Sequence, residues 1–388
     1  LSGLHVERNA RIKRHSAGQI FEERFEIHNR SRLGHLWIEV KDLSPLPRNR
    51  GSRVISQIGP KQYRSYTSRT LLLRRGAFQL GPTQLISGDP FGMFASEKTI
   101  FNNQQLVVLP FFVSLDHFAN PAGNLPGGRA LRRKSPEVTP YAAGVREYAP
   151  GDPLSRIHWK TTAHRDRIMV KEFEQDPQAD VWILVDAQFG VNITGQTKQM
   201  QDIQDEFLVL PHKVNIPLED SSFEYAVSVA ASLANYYILR GRSVGFACAG
   251  NALTIIPAER GERQLGKILE TLAFIQSEGK LPLVGLIESQ ANQITRGSTV
   301  VLITALSSDS LLIAIDSLLR RDLKPVVVLI DPSSFGQAKG VDSVFEQLRL
   351  YNIPGTIIRN KDDLKLKLEV DALGNPWIGD ERRFYSLS

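Results

Sequence analysis

The run Val181-Trp182-Ile183-Leu184-Val185, closed by Asp186, constrains the fold more than any other stretch of the chain. An unbroken apolar run of strand length reads as a strand buried on both faces, the condition of a central strand in a sheet with helices on each side. The residues that follow agree. Ala226, Val229, Ala230, Leu233 and Tyr237 recur at helical spacing within 223–239. Strands are expected at 243–249, 299–304, 325–330 and 355–358, and helices at 263–276 and 310–321. Strands alternating with helices predict a parallel, doubly wound α/β domain of Rossmann type over 175–370. Ligands of such sheets bind at the carboxyl ends of strands, which makes Asp186 the first candidate site residue.

The front of the chain keeps a different period. Leu36, Ile38 and Val40 alternate with Trp37, Glu39 and Lys41, and Phe21 to Ile27 precedes an Asn29-Arg30-Ser31 turn. Tyr66 to Arg74 and Leu106 to Leu109 are further strand-like runs, separated by turn chemistry at Asp42 to Pro47, Gly81-Pro82 and Ser87 to Gly92. Short strands punctuated in this way predict a β-sandwich over 1–115. Asp89-Pro90-Phe91-Gly92 resembles a kinase magnesium motif only in outline; without any other kinase element it reads as a tight turn with a buried phenylalanine. Arg69, Arg74 and Arg75 make a local basic cluster, weak as a ligand site because strand arginines are commonly exposed. The Gly- and Pro-rich run Asn120 to Gly128, followed by Arg132-Arg133-Lys134, predicts a linker over 116–143. Residues 371–388 lack periodicity and read as a tail.

A chain of 388 residues is too long for one core. A single cysteine, Cys248, excludes an intramolecular disulfide and fits a reducing compartment. Charge is unevenly divided: residues 1–178 hold 27 Lys and Arg against 16 Asp and Glu, and residues 179–388 hold 20 against 25. A basic front half suits an acidic partner, an anionic membrane or nucleic acid, or is simply solvated. No run reaches the roughly 18 apolar residues that span a bilayer. The chain opens on Leu1 with no visible signal peptide, and a preceding segment is expected.

Between the two halves lies 144–174, where unlike chemical groups are most concentrated. Asp152 is a good N-cap and Pro153 suits the first helical position, so a helix is expected from there. It would carry Ile157 and Thr161 on one face and Arg156 and Lys160 on another, with Trp159 between; 168–173 alternates like a strand. Arg146, Arg156 and Lys160 would form an anion clamp. Alternatively the segment is a brace, with Asp152 paired to an arginine and Trp159 packed on a neighbouring sheet. The brace is the preferred reading, because charge pairs around one large aromatic fix geometry more often than they do chemistry. His158 has no Cys or second His nearby and is not read as a metal ligand.

The pattern Arg146-x-Tyr148-x-x-Gly151-Asp152-x-x-x-Arg156, with His158-Trp159-Lys160, Ala163 and Lys171-Glu172-Phe173, resembles the signature of the DUF58 family. Arg74-Arg75-Gly76, Gly81-Pro82, Asp89 to Gly92 and Leu106 to Pro110 resemble the β-rich region that precedes it. The resemblance implies a bacterial or archaeal protein with membrane helices upstream of Leu1 and a von Willebrand factor A-like domain downstream. It also implies association with MoxR-type AAA+ ATPases and transglutaminase-like membrane proteins, and it supplies no catalytic residue. Von Willebrand A domains end their first strand in Asp-x-Ser-x-Ser around a divalent ion. Here the chain reads Asp186-Ala187-Gln188-Phe189-Gly190, so a degenerate Mg²⁺ site at Asp186 would need oxygens from Thr304 and Asp309.

Gly261 to Lys267 matches the first part of a phosphate loop, but Ile268 stands where Ser or Thr is required, and the segment reads as helix surface. Asn192-Ile193-Thr194 is a sequon only in a secreted chain. The Gln-rich stretch 195–217 reads as an insertion or partner-facing loop. The expected protein is a non-enzymatic, membrane-associated scaffold, its soluble portion cytoplasmic, working with a MoxR-type ATPase. The alternatives are a hydrolase using Asp152 and His158 or Asp186, a metal-dependent adhesion module at Asp186, and, least favoured, a nucleic-acid binder.

Overall fold

The computed structural model describes residues 3–10, 14–89, 93–118, 142–148, 157–165, 167–173, 180–195, 218–290 and 293–369. It divides into two compact units: Leu1–Pro121 together with Asp180–Ser388, and Ala122–Ala179.

The front of the chain forms strands β1 (Leu4–Ala10), β2 (Arg14–Ser16), β3 (Ile20–Asn29), β4 (His35–Asp42), β5 (Arg53–Ile58), β6 (Tyr63–Leu71), β7 (Gly76–Leu80), β8 (Thr83–Gly88), β9 (Ala95–Ile100) and β10 (Gln104–Leu109). One sheet has the order β1-β3-β6 and a second β5-β4-β8-β9, both antiparallel throughout. Leu4, Val6, Phe25, Ile27 and Tyr66 from the first share a single core with Ile38, Val40, Ile58 and Leu85 from the second. Two sheets that face each other across common apolar side chains are the sandwich-type arrangement expected from the alternation. A small third sheet, β2-β10-β7, closes over its own core of Phe21, Leu46, Leu72, Leu80, Leu106 and Val108.

Within the sandwich lies an ionic knot. Arg8 Nε donates to Glu23 Oε2 at 2.5 Å, and its Nη1 and Nη2 donate to Asp42 Oδ1 and Oδ2 at 2.9 and 3.0 Å. The Arg8 side chain is 2% exposed and both carboxylates 0%. Burial pushes the Glu23 carboxyl above its usual range, with Arg8 opposing the shift.

The unit Ala122–Ala179 contains β11 (Ala142–Glu147) and β12 (Met169–Phe173), paired antiparallel, with α1 (Trp159–Arg165) between them.

The rest of the chain alternates as expected. It supplies β13 (Val181–Val185), α2 (Ser222–Leu239), β14 (Val244–Ala249), β15 (Leu253–Glu259), α3 (Glu262–Phe274), α4 (Leu283–Gln290), β16 (Thr299–Thr304), α5 (Ser310–Leu319), β17 (Lys324–Ile330), α6 (Asp342–Leu350), β18 (Gly355–Ile358) and α7 (Leu364–Leu368). Sheet order is β15-β14-β13-β16-β17-β18. Val181, Ile183 and Val185 face one hydrophobic cluster and Trp182 and Leu184 another, so β13 is covered on both sides. Five strands run parallel, but β15 is antiparallel to β14, which corrects the expectation of an all-parallel sheet. Only residues 250–252 separate β14 from β15, too few for a crossover, so the chain turns back as a hairpin.

The β module and the α/β module meet directly. Arg75, whose side chain is 7% exposed, pairs with Glu224 of α2, donates to the Ile275 carbonyl and lies 5.4 Å above the Phe223 ring centroid. Residues 116–118, at the start of the expected linker, continue a strap that is packed on α2. Leu115 and Phe118 are buried against α2, and the Val113 and Phe118 amides donate to Ser232 Oγ and Tyr236 Oη. This added cover explains why α2 is buried on almost every side. No helix among the described residues is long and apolar enough to cross a membrane.

Candidate functional site

The strand order reverses between β13 and β16, and the carboxyl ends of these strands converge on Asp186. Its carboxylate is 2% exposed. Thr304 Oγ1, at the end of β16, donates to Oδ2 at 2.7 Å, and the Gln188 amide donates to Oδ1 at 3.0 Å. The Asp186 carbonyl accepts from Asn192 Nδ2 at 3.2 Å, and Asn192 Oδ1 accepts from Ser222 Oγ at 3.2 Å. Burial pushes the Asp186 carboxyl up, and the bonds from Thr304 and Gln188 only partly offset this. Among the described residues no cation contributes to that balance. The neighbouring Cys248 thiol is pushed up to about 12 by burial and then by Asp186, which makes it an inert thiol.

The crevice floor fits tightly. The Gly279 amide donates to the Ala187 carbonyl at 2.9 Å, and the Phe189 amide to the Gly279 carbonyl at 2.7 Å. A Cβ on Gly279 would stand 1.8 Å from the Ala249 carbonyl oxygen, so only glycine allows this approach. Of the oxygens expected beside Asp186, Thr304 is present. Asp309 is not brought into a group of three acidic or imidazole ligands with Asp186; it lies exposed at the start of α5. Asn192 and Ser222 complete the network instead. Asn192 engages its side chain here, inside the fold.

The signature segment departs from expectation at Trp159. Its α1 starts at Trp159, preceded by Ile157 in an extended bridge with Val170 of β12, while the start expected at Asp152 lies outside the described residues. His158 takes the N-cap role: its amide donates to the Met169 carbonyl at 2.7 Å and its Nδ1 accepts from the Thr161 amide at 3.1 Å. Trp159 is 70% exposed and is not packed on a sheet as the brace required. Tyr148 is half-buried and donates its amide to the Ile168 carbonyl. Arg146 lies in β11 opposite Val170, and Lys171, Glu172 and Phe173 lie in β12 opposite Val145, Gly144 and Ala142. The side chains of Arg146, Lys160, Lys171, Glu172 and Phe173, and the whole of Gly151, Asp152 and Arg156, lie outside the described residues. So do Pro90 to Gly92 of the expected tight turn, most of 195–217, and 371–388.

Arg69 and Arg74 are held singly, by Glu22 at 2.7 Å and Glu219 at 3.5 Å, while Arg75 anchors the junction, so the three make no common site. Lys267 lies on the surface of α3 and donates to Glu259 at 2.7 Å, which fits the helix-surface reading of 261–267.

These features define a class: a mainly antiparallel β module docked on a doubly wound α/β module, with a sealed polar network at the switch point. A family model described as "Protein of unknown function DUF58" matches residues 144–206. "Uncharacterized protein YeaD" of Bacillus subtilis (strain 168) is 25% identical over 244 residues, which is 62% of this chain and 53% of that protein. The chain therefore spans about half the length of that relative. Among solved structures, a CARDB domain from Pyrococcus furiosus matches at 15% identity and TM-score 0.20, covering 27% of this chain and 91% of its own. A FixG-related protein from Vibrio parahaemolyticus matches at 11% identity and TM-score 0.17, covering 28% and 98%.

Proposed function

We propose that this protein is a non-catalytic interaction module that works at an anionic membrane surface, with a MoxR-type AAA+ ATPase as its protein partner and its soluble portion in the cytoplasm. The observation that carries the reading is one end of the β module. Pairing of His35 with Ile58 and of Gly88 with Ala95 brings the β3–β4, β5–β6 and β8–β9 turns together there. Leu33, Leu36, Met93 and Phe94 are 78, 61, 71 and 74% exposed, and Arg30, Arg32 and Lys61 are exposed beside them. Apolar tips among cations are the composition that enters an interfacial layer of acidic lipid. The partner comes from the resemblance of 144–173 to the DUF58 signature. Sedimentation with vesicles of phosphatidylglycerol and phosphatidylcholine tests the first half: binding that salt weakens and that M93S/F94S abolishes is expected. Binding equal on pure phosphatidylcholine, or unchanged in that variant, removes it. Co-purification from native membranes tests the second half.

A second reading takes the α/β module as von Willebrand A-like and Asp186 as a metal-dependent contact. It is favoured by a buried carboxylate that accepts from the Thr304 hydroxyl and, among the described residues, has no cation shifting its pKa. Mg²⁺ or Mn²⁺ titration, compared between the wild type and D186N, decides it: a heat of binding lost in D186N supports the reading, and its absence in both ends it.

A further inference from the structure

Strands β1 and β3 carry mirrored tripeptides, His5-Val6-Glu7 and Glu26-Ile27-His28. Their antiparallel register sets His5 opposite His28 and Glu7 opposite Glu26. Val6 and Ile27 enter the sandwich core, so the period of two places all four flanking side chains together on the outer face of the sheet. One ligand atom from each of Glu7, Glu26 and His28 falls within 4.8 Å of the others. His28 Nε2 lies 3.6 Å from Glu26 Oε2, and His5 Nε2 lies 3.7 Å from Glu7 Oε1. Ligand atoms held about 2.1 Å from a tetrahedral zinc ion stand about 3.4 Å apart, so these pairs are close to ready spacing.

Two further observations point to a cation. Carboxylates directly opposite on paired strands repel, and an ion between them removes that cost. His28 Nε2 is shielded from solvent and has no hydrogen-bond partner, although its ring is held in place by stacking on Tyr63 at 5.5 Å. Glu26 divides its oxygens: Oε2 faces His28, while Oε1 is held by Arg24 Nε at 2.9 Å, and Arg24 in turn reaches Ser65 Oγ at 3.3 Å. That is how an outer partner orients a ligating carboxylate.

We propose that His5, Glu7, Glu26 and His28 form a divalent transition-metal site. Two imidazole nitrogens and two carboxylate oxygens suit Zn²⁺ and disfavour Mg²⁺, which prefers an all-oxygen shell. The bound ion ties the edge strand β1 to β3. The site is separate from Asp186, so its fate is independent of either reading above.

Untagged protein stripped of metal should bind one Zn²⁺ per chain by calorimetry, and Zn²⁺ should raise its melting temperature. Co²⁺ in its place should give the visible absorption of a tetrahedral centre. H28A and E7Q are expected to weaken Zn²⁺ binding by at least about tenfold, with the metal-free melting temperature changed much less than the Zn²⁺-loaded one, because both side chains lie on the outer face of the sheet and outside the sandwich core. D186N should bind Zn²⁺ as the wild type does. The proposal is overturned if the wild type gives no heat and no Co²⁺ spectrum, or if the double variant H28A/E7Q binds as well as the wild type.

Discussion

Arg8 illustrates how parity governs the fate of a single residue. Leu4, Val6 and Arg8 share the inward phase of β1, as Phe21, Glu23, Phe25 and Ile27 do in β3 and Ile38, Val40 and Asp42 in β4. Three charges on inward positions of three strands are a signal of mutual pairing that was legible in the alternation and was missed. Replacing Arg8 by Ala leaves Glu23 and Asp42 buried without their cation and should cost about 3–5 kcal/mol. Urea denaturation at neutral pH measures it, and the deficit should shrink in acid as the buried Glu23 carboxyl, already pushed up by desolvation, takes up a proton. Asp186 behaves in the opposite sense. Its pKa is raised on folding, so the native state binds its proton more tightly than the unfolded chain does. Its contribution to stability is therefore fully present below the unfolded value of about 3.9 and is lost as pH rises through the folded value. D186N keeps an acceptor for the Gln188 amide and offers Thr304 a donor. It should raise the melting temperature at pH 7 while changing it little at pH 4; a fall at pH 7 would instead indicate a stabilising charge.

At the scale of elements, the period-two and helical patterns located β3, β4, β10, β13 and α2 within a residue or two, because burial of one face or of both is written into the order of side chains. Ends and orientations were less legible. The start of α1 at Trp159 follows pairing across β11 and β12, which draws Ile157 into the ladder, a long-range contact that no local signal at 157–159 announces. The antiparallel course of β15 follows from the length of one loop. Close packing within β14 gives a further prediction. A Cβ on Gly245 would stand 2.6 Å from the Trp182 ring on the adjacent strand. Gly245→Ala should cost about 1–3 kcal/mol by overpacking, read as a lower denaturation midpoint with an unchanged slope.

Across the whole molecule, the β module and the α/β module are joined through Arg75, Arg14 and the 113–118 strap, with Arg14 meeting Glu270 at 3.2 Å. The exposed Arg14 pair adds little, since solvent screens it. Arg75 contributes most, because its side chain is 7% exposed and Glu224 22%. Arg75→Ala should cost about 2–3 kcal/mol, discounted from a fully buried pair for the partial exposure of Glu224. It should also split one unfolding transition into two by calorimetry; a single transition of unchanged midpoint would show that the strap alone holds the modules together. The sequence by itself determined the two periods, hence a strand-rich front and an alternating back, and it singled out Asp186 at the end of a doubly buried strand. Those are local properties, set by which side chains can face a core at a given spacing. Only the tertiary structure decided that Arg75 meets Glu224, that Thr304 and Asn192 close around Asp186, and that His5-Val6-Glu7 faces Glu26-Ile27-His28. Each of these depends on register and on segments far apart in the chain, and burial spacing along one segment carries no information about which distant partner it will meet.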